Sequence, residues 1–418
     1  MQRRTLCLWP GGVLLGFMCF AVEAESWTLT QTLAAAQRYS AEISANNNEA
    51  QALDAMADSA RELPDPQLRF GIENVPVQGS NGRRLTREGM TMQRVGVMQR
   101  YVSEEKRERK AQTLLAQSQS VNAQADAIRA GLQRDTAQAW LDLALSTRAL
   151  NTARDLVVET RRQIAGQKAS VSSGSVPADS VLALQVTLNA MRDRETLAAR
   201  DVRLAQTRLM ALTGQQLEAV SGALPLYQRL PAEERVIEEG VTLHPEVIAA
   251  SREANTARAR SAQSAIAAIP DVDVELYYAR RADGYEDMAG VMFTVDLPLF
   301  QGRRQNKDHA ADVSMTLQAN DRLAQTERTH LAQVRSLLAE YQAAQTLWQR
   351  QRDETLPLQK QRLSLVTAQY RSGQSGLPEL LEARRSVLET EMTLNELERE
   401  MARRWAAIRW LIPQEIAL

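Results

Sequence analysis

The stretch Ser372-Gly-Gln-Ser-Gly-Leu-Pro378 separates two long segments with helical periodicity, residues 304–371 and 379–411. Glycine and proline in such a cluster favour a turn, so the sequence predicts a helical hairpin. In the second segment, mostly apolar side chains recur in alternating steps of three and four residues, the 3.5-residue spacing of a coiled-coil seam. This seam consists of Leu380, Ala383, Val387, Thr390, Leu394, Leu397, Met401, Arg404, Ile408 and Leu411.

The same pattern occurs 199 residues earlier in the chain, and there only Glu195 departs from apolar character. The equivalent positions are Val181, Leu184, Leu188, Met191, Glu195, Ala198, Val202, Ala205, Leu209 and Leu212. The same shift places Gly373 on Gly174, so the turns match as well. A seam and a turn glycine that recur at one offset predict an internal duplication of roughly half the chain.

The first repeat, residues 25–214, begins with a predicted helix over residues 27–63, which Thr28 or Thr30 can cap. Apolar and polar residues then alternate, which predicts a strand pair over residues 67–77 and 89–101. A helical hairpin over residues 103–213 follows. Its long arm runs to about residue 168, and two shorter helices laid end to end have a similar summed length.

Residues 215–235 contain two prolines and are predicted to connect the halves. The second repeat, residues 236–418, has the same order of elements. Its first helix is interrupted near His244-Pro245, and alternation predicts strands over residues 271–281 and 288–299. The hairpin over residues 303–411 completes it.

The first residues resemble a secretory signal peptide, residues 1–24, with Arg3 and Arg4 before an apolar run and a small-residue cleavage pattern. Both cysteines, Cys7 and Cys19, lie inside it, so the mature protein would have no disulfide, cysteine metal site or cysteine nucleophile. Cys19 as a lipidated N-terminus is the alternative, but Met18 is a poor substitute for the small residue that such processing needs. Beyond this segment, no uncharged apolar run approaches the ~20 residues of a membrane-spanning helix.

The composition of the 418-residue chain argues against several classes of function. The net charge of −1 with 24% charged residues carries no positive excess for nucleic acid, so no nucleic-acid partner is expected. A Gly-rich phosphate loop, a Gly-x-Ser-x-Gly nucleophile elbow and a carboxylate pair in a globular setting are missing from the sequence, so we expect neither an enzyme nor a cofactor.

The strand count predicts an oligomer. Each predicted strand has about ten residues, the length that crosses a bilayer when tilted. Four strands cannot close a transmembrane barrel, since the smallest have about eight. At least two copies must therefore contribute strands to one barrel.

The chain resembles the TolC-like outer-membrane efflux proteins in the order of its duplicated elements and in several short motifs. These motifs are Leu63-Pro-Asp-Pro66, Leu297-Pro-Leu-Phe-Gln-Gly302, Tyr370-Arg-Ser-Gly373 and Leu380-Leu-Glu-Ala383. The resemblance implies a mainly α-helical protein with a transmembrane β-barrel. In that fold, a homotrimer forms a 12-strand β-barrel, continued by a 12-helix coiled-coil α-barrel across the periplasm.

The resemblance also implies a location and partners. Such a channel lies in outer-membrane lipid with a long periplasmic extension, and it is the exit duct of a tripartite pump. Its partners are a periplasmic adaptor (membrane fusion protein) and an inner-membrane RND-type transporter. The stretches Phe70–Val77 and Met90–Met98 resemble the heavy-metal branch, the CzcC-like and CusC-like channels, so heavy-metal cations are the expected substrate.

Site residues follow from the two turns and from the resemblance. The predicted adaptor-contact tips contain Ser173, Gly174, Pro177, Gly373, Gly376 and Pro378. Gly174 and Gly373 are expected to supply a positive φ, whereas Gly376 and Pro378 stand where the family more often has β-branched residues. By resemblance, the periplasmic gate contains Tyr370, Glu379 and Glu382.

Histidine and methionine offer the remaining candidates for metal binding. His244, His309 and His330 show no metal-ligand spacing, so surface or turn positions and no metal site are expected. Met90, Met92 and Met98 share parity in an unbroken strand, where they would either fill a barrel wall or offer thioether contacts to soft cations. The wall-filling interpretation is preferred.

Two non-channel functions remain as alternatives. A periplasmic adaptor also has helical hairpins but needs a β-rich domain split around one hairpin. A structural coiled-coil protein of the cell envelope would lack the alternating segments.

Overall fold

The computed structural model describes residues 26–172, 179–282 and 284–411. The predicted signal peptide and the first-tip residues Ser173, Gly174 and Pro177 lie outside the described residues. The helices are Leu29–Tyr39 (α1), Ala41–Arg61 (α2), Glu104–Ser172 (α3), Asp179–Thr213 (α4), Glu234–Glu239 (α5), Pro245–Ala265 (α6), Gln305–Arg350 (α7), Leu356–Arg371 (α8) and Leu377–Arg409 (α9). The strands are Ser26–Trp27 (β1), Gln67–Glu73 (β2), Met92–Tyr101 (β3), Ala219–Val220 (β4), Val272–Arg281 (β5) and Met288–Val295 (β6).

The prediction of one helix over residues 27–63 is wrong, because the backbone leaves the helical region at Ser40 (φ −67°, ψ 106°). The Ser40 hydroxyl then accepts a hydrogen bond from the Ile43 N–H and starts α2. Thr28 caps α1 as expected. Its side chain accepts from the Gln31 N–H, and the Gln31 side chain accepts from the Thr28 N–H, which forms a capping box.

The α3 helix organises the first half. Its 69 residues span roughly 100 Å at 1.5 Å per residue. It packs against α2 along one part and α4 along another, and α1 contacts both α3 and α4. Two shorter stretches of helix therefore lie against the long one, as the length comparison predicted.

The long arm of the second half is not one regular helix. A π-helical segment, Gln351–Thr355, separates α7 from α8. Pro357 is the reason, because proline has no N–H for the helical ladder and its ring clashes with the preceding turn. A π segment accommodates that misfit without ending the helix.

The four long strands form one antiparallel sheet in the order β2-β3-β5-β6, and β3 and β5 join the two halves. They are shorter than the predicted segments. Asn74 has φ 58°, which ends β2. Met90 precedes β3, and β6 ends at Val295, three residues before Pro298. The additional pair β1 and β4 is parallel and two residues long, so it carries no alternation that a sequence could reveal.

The largest buried cluster lies where α1, the 215–235 segment and α5 pack against the long helices. Trp140 and Tyr341 are almost completely buried in it. The Trp140 indole donates to the Trp27 carbonyl at 3.0 Å, and the Tyr341 hydroxyl donates to the Tyr227 carbonyl at 2.9 Å. Residues 215–235 are therefore part of the core rather than a loose linker.

The coiled-coil seams are at least partly buried along their lengths. Leu184, Leu188 and Met191 form a second cluster with Val157 and Ile164 of α3. In α9, Leu380, Ala383 and Val387 are buried at the equivalent positions. The seams read from the sequence thus correspond to the packed faces of α4 and α9.

Candidate functional site

The antiparallel sheet has one apolar and one charged face. Side chains of the apolar face are exposed, and Phe293 retains 67% of its accessible surface. Its exposed large apolar side chains include Leu68, Phe70, Ile72, Val95, Val97, Leu276, Tyr278, Val291, Phe293 and Val295. A wide exposed apolar surface on a sheet indicates contact with lipid or another protein.

The opposite face carries an ion-pair network centred on Glu275, which is only 5% exposed. The Glu275 carboxylate lies 3.3 Å from the Arg69 guanidinium and 3.0 Å from that of Arg94. Arg94 also contacts Glu73 at 3.0 Å and lies 3.8 Å from the centre of the Tyr277 ring. A buried carboxylate is stable here because two cations neutralise it.

Met92 and Met98 lie on the charged face with this network. Met98 is buried, in agreement with a packing role. Met90 lies before β3, so the expected alignment of three methionines along one strand is wrong.

In the described parts of the chain, none of the helices combines the length and apolar character needed to span a bilayer.

The second tip is a tight turn between α8 and α9. Gly373 has φ +74°, as predicted, and the Gln374 N–H donates to the Gln369 carbonyl at 2.8 Å. Gly376 is extended (φ −81°, ψ 167°), and a β-carbon there would lie 2.7 Å from the Glu379 carboxylate. Pro378 lies in the first turn of α9, a position that needs no N–H donor.

The predicted gate residues lie next to this tip. Tyr370 is half-buried in the last turn of α8, and its carbonyl accepts from the Gly373 N–H at 3.1 Å. Glu379 and Glu382 are exposed on one face of α9, and neither forms an ion pair with another described residue. Glu379 belongs to the first turn, whereas Glu382 lies beyond it.

Farther along α9 from the second tip, ion pairs connect this helix to helices of the first half. Arg399 of α9 contacts Asp201 of α4 at 2.7 Å, and Arg403 contacts Asp142 of α3 at 2.6 Å. Burial raises the pKa of Asp201, but hydrogen bonds from Arg399 and Arg200 outweigh it and hold that pKa below its usual value. A cavity of about 180 Å³ between α3, α4 and α9 lies beside Arg399 and Asp201.

The expectation of surface or turn positions for the histidines holds for His244, which lies at the turn before α6, and is wrong for His330, which is buried within α7. His244 and His330 are 5% and 6% exposed, and their ring centres lie 4.5 Å apart. The His330 Nε2 lies 2.7 Å from a carboxylate oxygen of Glu246. His244 occupies the predicted interruption, where Gly240–Leu243 forms a 3-10 turn and the His244 Nδ1 accepts from the Glu246 N–H at 3.3 Å.

The sequence did not reveal this histidine pair, because His330 belongs to α7 and His244 lies at the start of α6. His309 lies apart from them, with its Nδ1 3.2 Å from the Ser264 hydroxyl. Burial and the charge of His330 lower the pKa of His244 to about 4, so its ring is neutral near pH 7. The hydrogen bond with His330 lowers the pKa of the Glu246 carboxyl.

Residues 237–412 match the family described as outer membrane efflux protein. No curated protein matches the chain. Several solved outer-membrane channels share its fold at low sequence identity.

The Campylobacter jejuni CmeC outer membrane channel has a TM-score of 0.76 at 12% identity, over 98% of this chain and 93% of that one. A CusC structure described in terms of folding and transmembrane channel formation has a TM-score of 0.75 at 16% identity, over 91% of each chain. The outer membrane protein VceC from Vibrio cholerae has a TM-score of 0.73 at 16% identity, over 92% of this chain and 95% of that one. These matches confirm the resemblance to the TolC-like outer-membrane efflux proteins: the second half carries the family's sequence pattern, and the described chain has the fold of these channels.

Proposed function

We propose that the protein is the outer-membrane channel of a tripartite efflux pump and passively conducts substrates out of the periplasm. The observation that carries this proposal is the two-faced sheet continuous with the long helical hairpins. Its exposed apolar face suits lipid, and its charged face suits a water-filled lumen. The family match over residues 237–412 points to the same function.

The channel is proposed to be a homotrimer. In one chain, β2 and β6 are the edges of the sheet, and every residue of β2 is exposed. Unpaired edge strands attract further strands, and four strands are too few to close a barrel. Three chains would supply twelve strands, the number that the resemblance implies.

The proposed partners are a periplasmic adaptor and an inner-membrane RND-type transporter. The second tip supports this, because it joins α8 to α9 at the end of the long arm that is far from the sheet. The second tip presents Gly373, Gly376 and Pro378 in a compact turn. An adaptor hairpin can contact this turn end to end.

We place the periplasmic gate at Tyr370, Glu379 and Glu382. The helix dipole accounts for Glu379, since its effect is confined to the first turn. Glu382 lies beyond that turn, is exposed and lacks an ion-pair partner among the described residues. Three copies of Glu382 around a narrow entrance would attract cations.

Heavy-metal cations are the proposed substrates. The support is the resemblance of Phe70–Val77 and Met90–Met98 to the heavy-metal branch. Met98 is buried within the sheet, which supports the wall-filling interpretation of this methionine. Weak binding along the path favours release, since tight binding slows exit.

One experiment separates the channel from a periplasmic adaptor or a structural coiled-coil protein. We expect the protein in the outer-membrane fraction, as a trimer that migrates faster on a gel before heating than its mass predicts. Recovery as a soluble monomer would contradict the channel function.

Resistance assays in a strain without its own channel test the substrate. They compare a panel of metals with a panel of drugs, and rescue against drugs alone would exclude heavy-metal cations.

A further inference from the structure

We propose that His244, Glu246 and His330 form a binding site for a divalent transition-metal ion such as Zn²⁺. Each residue offers one ligand atom, and these atoms all lie within 4.8 Å of one another. Two imidazole nitrogens and one carboxylate oxygen are ligands that Zn²⁺, Co²⁺ and Ni²⁺ accept. This site does not rest on the proposed channel function.

The His330 imidazole and the Glu246 carboxylate already face each other. The His330 Nε2 lies 2.7 Å from a Glu246 carboxylate oxygen, the distance of a hydrogen bond in which the two atoms share one proton. An ion bound by both atoms would take the place of that proton, as is usual when a metal binds histidine.

The His244 ring is held in a suitable state as well. Its Nδ1 accepts only a long hydrogen bond, 3.3 Å, from the Glu246 N–H. Its ring stacks on His330 at 4.5 Å, with 35° between the ring planes. A cap bond of this length is weak and can be exchanged for a metal bond.

Solvent can reach the site from the side of Glu246. The Glu246 side chain is 52% exposed, while both histidine rings are buried. Glu246 follows His244 by two residues at the start of α6, and His330 lies within α7. An ion bound here would join α6 to α7.

Ligand distances require a small adjustment. Tetrahedral Zn²⁺ with bonds of about 2.0–2.2 Å places its ligand atoms roughly 3.3–3.5 Å apart. The His330 Nε2 and the Glu246 oxygen, 2.7 Å apart, would separate slightly, and the most distant ligand atoms, within 4.8 Å, would approach by about 1 Å. Arg134 is the nearby opposing charge and pairs with its neighbour Asp135 at 2.9 Å.

The test uses the purified full-length protein in detergent, without a polyhistidine tag. Co²⁺ is the spectroscopic probe, and metal analysis after dialysis against Zn²⁺ gives the stoichiometry. We expect one ion per chain, visible Co²⁺ absorption bands typical of a nitrogen and oxygen ligand set, and a Tm that rises with the Zn²⁺ concentration.

His330→Gln should abolish the Co²⁺ bands and the Zn²⁺-dependent rise in Tm, since glutamine keeps a polar group but is a poor ligand. Glu246→Gln should weaken binding by at least ~10-fold, the effect of losing even a group that only orients a ligand. Arg134→Gln should tighten binding, because it removes the opposing charge. His309→Ala, which alters the remaining histidine, should bind as the wild type does.

Two results would overturn the proposal. Wild-type protein that retains no ion and gives no Co²⁺ bands would leave the cluster as a helix cap and a hydrogen-bonded pair only. Equal binding by wild type and His330→Gln would place the ion elsewhere. Neither result affects outer-membrane localisation or trimer formation, so failure here is distinguishable from failure of the channel function.

Discussion

At the scale of single residues, Gly373 and Glu382 are the positions where side-chain chemistry has the clearest consequence. Gly373 adopts φ +74°, and a β-carbon there would meet no other atom within 4 Å. The requirement for glycine is therefore conformational rather than steric crowding by neighbours. An L-residue in this region costs about 1–2 kcal/mol.

Gly373→Val should abolish efflux while trimer assembly persists, because the strain is confined to the tip. Asparagine tolerates a positive φ, so Gly373→Asn is the matched control and should retain efflux. Substrate resistance and gel migration of the trimer provide the two measurements. Wild-type resistance in the valine variant would exclude a conformational role for Gly373.

Glu382→Gln should reduce cation selectivity and block by multivalent cations, since a ring of three carboxylates would become neutral. Glu379→Gln is the comparison, because the helix dipole already accounts for that residue. Single-channel conductance in planar bilayers measures both variants. Unchanged selectivity in Glu382→Gln would remove Glu382 from the gate.

At the scale of elements, ion pairs decide how α9 is held against the first half. Arg399 and Asp201 connect helices from different repeats at 2.7 Å. The Asp201 side chain is 20% exposed, so this pair is less screened than the surface pairs within one helix. Asp353 offers a contrast, because its partner is the neighbouring Arg352 and both are exposed.

Asp201→Asn should lower the free energy of unfolding of the protein by about 1.5–3 kcal/mol, as expected for a hydrogen bond to a charged group. Since the pKa of Asp201 is depressed in the folded state, its contribution is present above the unfolded-state value of about 3.9 and is lost as pH falls through the lower folded-state value. Melting curves between pH 7 and pH 3 measure this dependence. Asp353→Asn should leave stability unchanged, and an equal effect of both substitutions would contradict a special role for the pair between helices.

For the molecule as a whole, the two faces of the sheet are in different environments. Phe293 and Thr294 are neighbours on β6, but they point to opposite faces of the sheet. Phe293 lies on the exposed apolar face. Thr294 lies opposite Asp273 on the charged face.

Phe293→Arg should impair outer-membrane assembly, because arginine on the lipid face costs up to ~2–4 kcal/mol. Thr294→Arg should assemble normally, since the new charge faces Asp273. Membrane fractionation and heat-modifiable migration compare the two variants. Normal assembly of Phe293→Arg would show that lipid does not contact this face.

Features that repeat at short range could be predicted from the amino-acid sequence. Alternation placed the four long strands, and steps of three and four placed the buried seams of α4 and α9, because side-chain direction follows the local backbone period. Thr28 and His244-Pro245 marked helix starts because a capping side chain accepts from a free N–H of the first turn and proline needs no N–H there. Pro357 is also visible in the sequence. The π-helical segment before it shows that a long helix can contain a proline without ending.

The contacts between residues distant in sequence could be known from the tertiary structure alone. It paired β1 with β4, joined Asp201 to Arg399, and stacked His244 on His330, whose partner Glu246 lies 84 residues away. No local period encodes such contacts, because they depend on how α6 and the 215–235 segment pack against the long helices. Hydrophobic periodicity specifies which face of a helix is buried, whereas the polar side chains that meet across that face are set by the relative position of two elements in space.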